Sequence, residues 1–222
     1  MTDLPVSTID YPGEIASVVY TVGCNLRCPY CQNVSLLDTN DSIPWKDVIK
    51  KITDKSDVLT GVVFTGGEPT IHSELPCAIE HVKSLGLKVK LDTNGTNPDM
   101  VRKLIDDKLI DYLAVDVKCL ADDWDTFIPN GYVPYPDYKA LLGYAMGKVN
   151  AEARTTMHSR VVIGHDIPEM RELIPTGCKW YLQRYRDCDP PPPDEALLHT
   201  NEYTVDDLKR FAASVGASVR GE

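Results

Sequence analysis

Short apolar runs alternate with amphipathic segments along most of the chain. The apolar runs are rich in Val, Ile and Leu and predict buried strands, whereas the segments between them repeat apolar residues at helical spacing. The pattern predicts strands at 15–22, 61–65, 88–91, 112–115, 150–157 and 179–184, with a further short one at 217–220. It predicts helices at 44–55, 75–85, 97–108, 138–146, 168–174 and 204–214.

Regular alternation of strands and helices predicts a parallel sheet with right-handed crossovers. The chain has 222 residues, fewer than the roughly 250 of a complete eight-unit barrel. We therefore predict an α/β fold, a partial (β/α)6 barrel that is open on one side. It is expected to form one domain over 1–222, with a core at about 14–185 and a C-terminal helix and tail at 186–222. A doubly wound flat sheet is the alternative.

Composition narrows the class of protein. The chain is 43% hydrophobic and 25% charged, which is typical of a soluble globular domain. No apolar run approaches the roughly 18 residues of a membrane span, and the first residues lack a signal pattern, so we expect a cytoplasmic protein without a membrane partner. The net charge of −10 argues against a nucleic-acid partner.

Three cysteines directly follow the first predicted strand, with the spacing C-x3-C-x2-C. Cys24, Cys28 and Cys31 would give soft thiolate ligands, which suit iron–sulfur clusters and zinc. A 4Fe–4S cluster is usually held by four cysteines, so three would leave one iron open to a small molecule. Open coordination positions usually mean chemistry, whereas a structural zinc site would be the alternative. The other four cysteines show no compact ligand spacing.

Polar motifs also follow the next three predicted strands. They are Gly-Gly-Glu-Pro at 66–69, Asp-Thr-Asn-Gly at 92–95 and Asp-Val-Lys at 116–118. Parallel strands end on the same side of a sheet, and in α/β barrels active sites are built at that carboxyl-end rim. The sequence therefore predicts one site that contains these motifs and the cysteine loop.

These residues resemble a known family. The cysteine spacing is similar to that of the radical S-adenosylmethionine (SAM) enzymes. The strings Asp-Tyr-Pro-Gly at 10–13, Thr-Val-Gly-Cys-Asn at 21–25 and Tyr-Cys-Gln-Asn at 30–33 resemble one branch, the activating proteins of glycyl-radical enzymes. Within that branch the likeness is to the anaerobic ribonucleotide reductase activating protein. The resemblance also implies a partial barrel.

The resemblance implies a mechanism. Cys24, Cys28 and Cys31 would hold a 4Fe–4S cluster, and SAM would bind the open iron. An electron from a carrier such as flavodoxin or ferredoxin would cleave SAM reductively, giving a 5′-deoxyadenosyl radical. That radical would take a hydrogen atom from a glycine Cα of a partner glycyl-radical enzyme. No side chain is expected to act as a general acid or base, because the cofactors carry the chemistry.

The resemblance also implies roles for individual residues. Gly66, Gly67 and Glu68 would bind the amine of SAM, although a simple strand-to-helix turn is the alternative. Asp92 and Asp116 would hold a monovalent cation beside the carboxylate of SAM, although the Asn-Gly turn and an Asp116–Lys118 salt bridge are ordinary features. The remaining residues expected to contact the cofactor are Tyr30, Gln32, Asn94, Lys118 and Arg154. For Arg154 a structural ion pair is the alternative.

One segment departs from the family pattern. Residues 119–137 are rich in proline and aromatic residues, among them Trp124, Phe127, Tyr132 and Tyr135. We expect this segment to shape partner docking or to cover the open side of the barrel, and an inert surface insertion is the alternative.

Two other functions remain open at the level of sequence. One is a radical SAM enzyme that modifies a small molecule or a peptide. The other is a non-catalytic iron–sulfur electron carrier or zinc-binding module.

Overall fold

The computed structural model describes residues 4–128 and 133–221. Within them the strands form one eight-stranded sheet. The strands are β1 (Val6–Ser7), β2 (Ala16–Thr21), β3 (Gly61–Gly66), β4 (Lys88–Thr93), β5 (Tyr112–Asp116), β6 (Asn150–Met157), β7 (Lys179–Arg184) and β8 (Ser218–Arg220). The helices are α1 (Trp45–Asp54), α2 (Leu75–Ser84), α3 (Pro98–Asp106), α4 (Tyr138–Ala145), α5 (Ile167–Glu172) and α6 (Val205–Val215).

The strands follow one another in the sheet in the order of the sequence. Neighbours from β2 to β8 are parallel, and β1 is antiparallel to β2. A doubly wound sheet reverses its strand order at a switch point, and this order has no reversal. Among the described residues β8 pairs only with β7, so the sheet is not closed. The predicted partial barrel is confirmed.

Most elements lie within one or two residues of their predicted bounds because local signals fix their ends. The Asn97 side chain accepts a hydrogen bond from the backbone N–H of Met100 at 3.3 Å and so caps α3. Thr204 and Asp207 form a reciprocal capping box at the start of α6. The strand β1 was not predicted, because two residues are too few to show an alternating pattern.

No helix in the described part of the chain is long and apolar enough to cross a membrane.

The two faces of the sheet differ in polarity. The outer face packs against the helices through the main apolar core. On the inner face a small apolar cluster closes the end at which the strands begin, and it consists of Tyr11, Ala16, Val18, Val63 and Tyr112. Beyond this cluster, towards the carboxyl ends of the strands, the inner face turns polar and charged, and the candidate site lies there.

Candidate active site

A cavity of about 300 Å³ lies at the carboxyl ends of the parallel strands. All of the predicted site residues line it, although they come from the ends of five strands. The predicted residues on its wall are Cys24, Cys28, Tyr30, Cys31, Gln32, Gly66, Gly67, Glu68, Asp92, Asn94, Asp116, Lys118 and Arg154. The structure therefore brings the motifs into one place, as parallel strand ends require. Their individual roles remain predictions.

The cysteine loop follows β2 and puts three free thiols on this cavity. The backbone N–H of Cys31 donates to the carbonyl of Cys28 at 3.0 Å, and the N–H of Leu26 donates to the Cys24 sulfur at 3.4 Å. Burial raises the pKa of Cys28 to about 12, and it also raises the pKa of Cys24 and of Cys31. Loading a metal must therefore displace thiol protons.

Three thiols on one wall fit the donor set of an iron–sulfur cluster better than that of a hard cation. Among the described residues, no three His, Cys, Asp or Glu side chains form a group that could hold a single metal ion.

The segment after β5 supports the cysteine loop from behind. The backbone N–H of Arg27 donates to the carbonyl of Phe127 at 2.8 Å. The ring of Tyr30 packs edge-on against Phe127 at 5.8 Å between centroids, and Trp124 stacks on Phe127 at 6.2 Å. Trp124 and Phe127 are buried. We call Tyr30, Trp124, Phe127 and Tyr135 the aromatic clamp.

The contacts of the aromatic clamp rule out one of the alternatives for residues 119–137. An inert surface insertion is wrong, because Trp124 and Phe127 belong to the main core. The indole N–H of Trp124 donates to the Val133 carbonyl at 2.7 Å, and the Tyr135 hydroxyl donates to the Cys119 carbonyl at 2.9 Å. Tyr132 lies outside the described residues.

Gly66 and Gly67 are needed for contact between two loops. A Cβ on Gly66, whose φ is +106°, would lie 2.7 Å from the backbone N of Thr21. A Cβ on Gly67 would lie 1.9 Å from the carbonyl oxygen of Gly23. The glycines therefore let the end of β3 pack directly against the start of the cysteine loop. The sequence suggested only that a ligand approaches here.

Glu68 ties the turn after β3 to the turn after β4. One carboxylate oxygen accepts from the Thr70 N–H at 3.0 Å, the Thr70 hydroxyl at 2.6 Å and the Thr93 hydroxyl at 2.7 Å. The other accepts from the backbone N–H of Asn94 at 2.7 Å. Glu68 is buried, and burial raises its pKa although these hydrogen bonds oppose the shift.

Asn94 connects the turn after β4 to the cysteine loop. Its amide donates to the side-chain oxygen of Asn25 at 2.9 Å, and its own oxygen accepts from the N–H and hydroxyl of Thr96. The Asn25 amide donates in turn to the Thr96 hydroxyl at 2.8 Å. Glu68 and Asn94 therefore join three of the predicted motifs into one hydrogen-bonded unit.

Five charged side chains form a network on the inner face of β4, β5 and β6. Arg154 donates from Nε to one oxygen of Asp116 at 2.9 Å and from Nη1 to one oxygen of Asp92 at 3.0 Å. Lys90 donates to the second oxygen of Asp92. Lys118 lies 3.4 Å from the second oxygen of Asp116. Every oxygen of the two carboxylates therefore faces a cationic group.

Electrostatics favour the ionised forms of Asp116 and Lys118. Burial acts to raise the pKa of Asp116, but Arg154 and Lys118 outweigh it and hold that pKa below its usual value. Burial acts to lower the pKa of Lys118, but Asp116 and neighbouring groups raise it well above the usual value. Cationic side chains thus already compensate both carboxylates, so a further monovalent cation would add uncompensated positive charge, and the residues do not fit the predicted ion.

Sequence reasoning missed some residues at this site. Lys90 is 1% exposed, and the alternation Lys88, Lys90, Asp92 along β4 could have placed it on the inner face. Tyr20 also lines the cavity, but an isolated polar residue on a strand carries no motif.

Cys188 also lies near the site. Its thiol lies 3.9 Å from the carbonyl of Cys31. Cys188 is not among the residues that line the cavity. It contacts the cysteine loop although it lies far from it in the sequence. Gln32 contacts the same stretch, since its amide donates to the Arg186 carbonyl at 2.7 Å.

Known proteins resemble this chain at two levels, sequence and fold. The model of the radical SAM superfamily matches residues 18–145. A protein of Methanocaldococcus jannaschii, provisionally named a glycyl-radical enzyme activating enzyme, is 32% identical over 192 residues, which cover 83% of this chain and 78% of that protein. The 7-carboxy-7-deazaguanine synthase of Aquifex aeolicus is 39% identical over 75 residues, 33% of each chain.

Solved structures share the fold. Streptococcus suis SuiB bound to S-adenosylmethionine matches with a TM-score of 0.66 at 18% identity, over 92% of this chain and 49% of SuiB. Its complex with the precursor peptide SuiA matches with a TM-score of 0.68. The chain thus spans about half the length of SuiB, and the likeness at this identity concerns the fold alone.

Proposed function

Because the chain belongs to the radical SAM superfamily, we propose that it is an activating enzyme for a glycyl-radical enzyme, with an anaerobic ribonucleotide reductase as partner. The observation that carries this proposal is the extent of the likeness to the M. jannaschii protein, which covers most of both chains. The likeness to the deazaguanine synthase covers only a third of either. A protein partner also suits a sheet that is open at one side.

The cavity residues have distinct tasks in this proposal. Cys24, Cys28 and Cys31 would hold the 4Fe–4S cluster, leaving one iron for SAM. When bound, cluster and SAM supply a 5′-deoxyadenosyl radical, with the electron coming from a carrier such as flavodoxin or ferredoxin. Arg154 and Lys118 would face the carboxylate of SAM, because their remaining N–H groups point to no other acceptor among the described residues.

The protein must also place the partner's glycine and keep water away from the site. Abstraction of a hydrogen atom needs no proton transfer, so this proposal assigns no side chain as a general acid or base. Leu26 and Tyr30, two buried residues of the cysteine loop itself, would shield the cluster on that side. The protein's contribution is therefore placement and exclusion rather than acid–base catalysis.

The test is formation of a glycyl radical on a candidate partner. Reconstituted protein, SAM and a reductant would be mixed anaerobically with an anaerobic ribonucleotide reductase and followed by electron paramagnetic resonance. We expect a glycyl doublet that requires SAM, and a partner carrying Cα-deuterated glycine should transfer deuterium into 5′-deoxyadenosine. The Cys28→Ala variant should give neither. Turnover of SAM without radical or deuterium transfer would contradict activation of that partner class.

A second candidate function is modification of a peptide. It is favoured by the fold shared with SuiB, which was solved bound to its precursor peptide. A covalently altered peptide, with no glycyl radical on any partner, would select this candidate. Both functions use the same cofactors and cavity.

A further inference from the structure

The guanidinium of Arg154 lies between two carboxylates from neighbouring strands. Asp92 is the penultimate residue of β4, Asp116 ends β5, and Arg154 comes from β6 beside them. The group contacts Asp116 through Nε at 2.9 Å and Asp92 through Nη1 at 3.0 Å. One planar cation thus bridges both acids, which is the task that the family resemblance gave to a monovalent metal ion.

Lys90 and Lys118 complete the same arrangement. Lys90 donates to the remaining oxygen of Asp92 from a fully buried position, and Lys118 lies beside the remaining oxygen of Asp116. Two negative charges thus meet three positive ones, so the network carries one positive charge in excess. A bound alkali ion would raise that excess in a buried site, whereas a single ligand carboxylate would cancel it.

The geometry also leaves donors for that carboxylate. A guanidinium has five N–H groups, and the contacts to Asp92 and Asp116 use two of those of Arg154. Arg154 and Lys118 both line the cavity. Free N–H groups next to a net positive charge are what a carboxylate needs for charge-assisted hydrogen bonds.

We infer that the Arg154 guanidinium, flanked by Lys90 and Lys118, takes the place of a monovalent cation, so that this protein binds the carboxylate of SAM without an alkali-metal ion. The inference rests on SAM binding and not on the identity of the partner. It can therefore fail while glycyl-radical formation stands, and it can hold if the partner is a different one.

The first test compares one protein in different salts. The dissociation constant of SAM would be measured by anaerobic equilibrium dialysis on cluster-loaded protein, at equal ionic strength in sodium, potassium or choline chloride. We expect the three values to agree within about twofold, because no site distinguishes the ions. A saturable, tenfold or larger tightening by sodium or potassium alone would overturn the inference. No variant is needed, so a folding failure cannot obscure the result.

The second test removes the resident cation. Arg154→Ala should weaken SAM binding about 10- to 100-fold, the loss expected for a charged hydrogen-bonding group. Potassium or guanidinium ions should restore part of that loss, because the variant leaves a gap between two carboxylates. Arg102→Ala on the exposed side of α3 should bind SAM like the parent in every salt. Rescue absent from a folded Arg154→Ala protein would contradict the inference.

Discussion

Single buried polar residues join the loops of this site, and Glu68 is the strongest case. Its two carboxylate oxygens accept four hydrogen bonds, two of them from the backbone N–H groups of Thr70 and Asn94. These two N–H groups donate to different oxygens of the carboxylate. Hydroxyl groups can rotate to donate or accept, but a backbone N–H can only donate.

Glu68→Gln should therefore destabilise the protein in either orientation of the new amide. Its NH₂ group must face the N–H of Thr70 or that of Asn94, which leaves one buried donor unpaired at a cost of about 1–3 kcal/mol. Urea unfolding of the cluster-free protein would measure this loss. Glu74→Gln, at an exposed position without a side-chain cap, is the control and should change little. Equal stability of the two variants would refute the assigned contacts.

Gly67→Ala tests the close contact between the end of β3 and the cysteine loop. The added Cβ would lie 1.9 Å from the Gly23 carbonyl oxygen, so the loops must separate. We expect a loss of at least about 2 kcal/mol, the scale of overpacking, together with lower iron content after reconstitution. Gly143→Ala, in a helix with only Pro175 nearby at 3.9 Å, should instead stabilise by about 0.5–1 kcal/mol.

Among the elements, the segment after β5 (residues 119–137) has a structural role that its composition did not indicate. Its 3₁₀ helix, Ala121–Phe127, carries two of the four rings of the aromatic clamp and contacts the cysteine loop through both backbone and rings. The segment therefore supports the cysteine loop directly. Replacing it would impair the site itself, and not only the docking of a partner.

Phe127→Ala should accordingly lower both stability and iron binding. Loss of a buried phenylalanine costs about 3–5 kcal/mol, and here the cavity opens behind Tyr30. Iron per protein after anaerobic reconstitution, read with the melting temperature, would separate the two effects. Phe211→Ala is the control. Phe211 lies in α6, packs on Tyr203 and does not line the cavity. It should reduce stability but leave iron content unchanged, and equal iron loss in both variants would contradict the clamp.

The edge strand β8 is tied to β6 by an ion pair with a buried carboxylate. Arg220 donates two hydrogen bonds to Glu152 at 2.6 and 2.8 Å, and Glu152 is fully buried. Arg220→Ala should cost about 3–5 kcal/mol, because it leaves a buried carboxylate without its cation. The urea midpoint would show this. Arg102→Ala removes only a surface ion pair with Asp99 and a contact with the Tyr144 ring, so it should cost no more than about 1 kcal/mol. Similar midpoints for the two variants would refute the role of the Arg220–Glu152 pair.

For the molecule as a whole, the sequence predicted those features of the fold and the site that local patterns determine. Strand and helix periods gave the barrel, and the position of each motif after a strand gave the common cavity. The strand β1 was not predicted, because it is defined by its pairing with β2 and not by a local pattern. In that pairing the N–H of Val18 donates to the Pro5 carbonyl at 2.9 Å.

The pairing inside the site was also beyond sequence. That Arg154 bridges Asp92 and Asp116 follows from the register of three strands. Sequence spacing does not fix that register. The alternation along β4 could place Lys90 on the inner face, but its pairing with Asp92 is visible only in the folded chain. Motifs therefore predicted where the site is, whereas its charge balance required the assembled sheet.

The central claim is that three thiols hold a cluster with one iron open to SAM. The most direct measurement is 5′-deoxyadenosine formed by anaerobically reconstituted, reduced protein, compared with Cys28→Ala. The account predicts 5′-deoxyadenosine from the parent and none from the variant. Full activity in Cys28→Ala, or no product from a parent protein that carries a complete cluster and binds SAM, would contradict it.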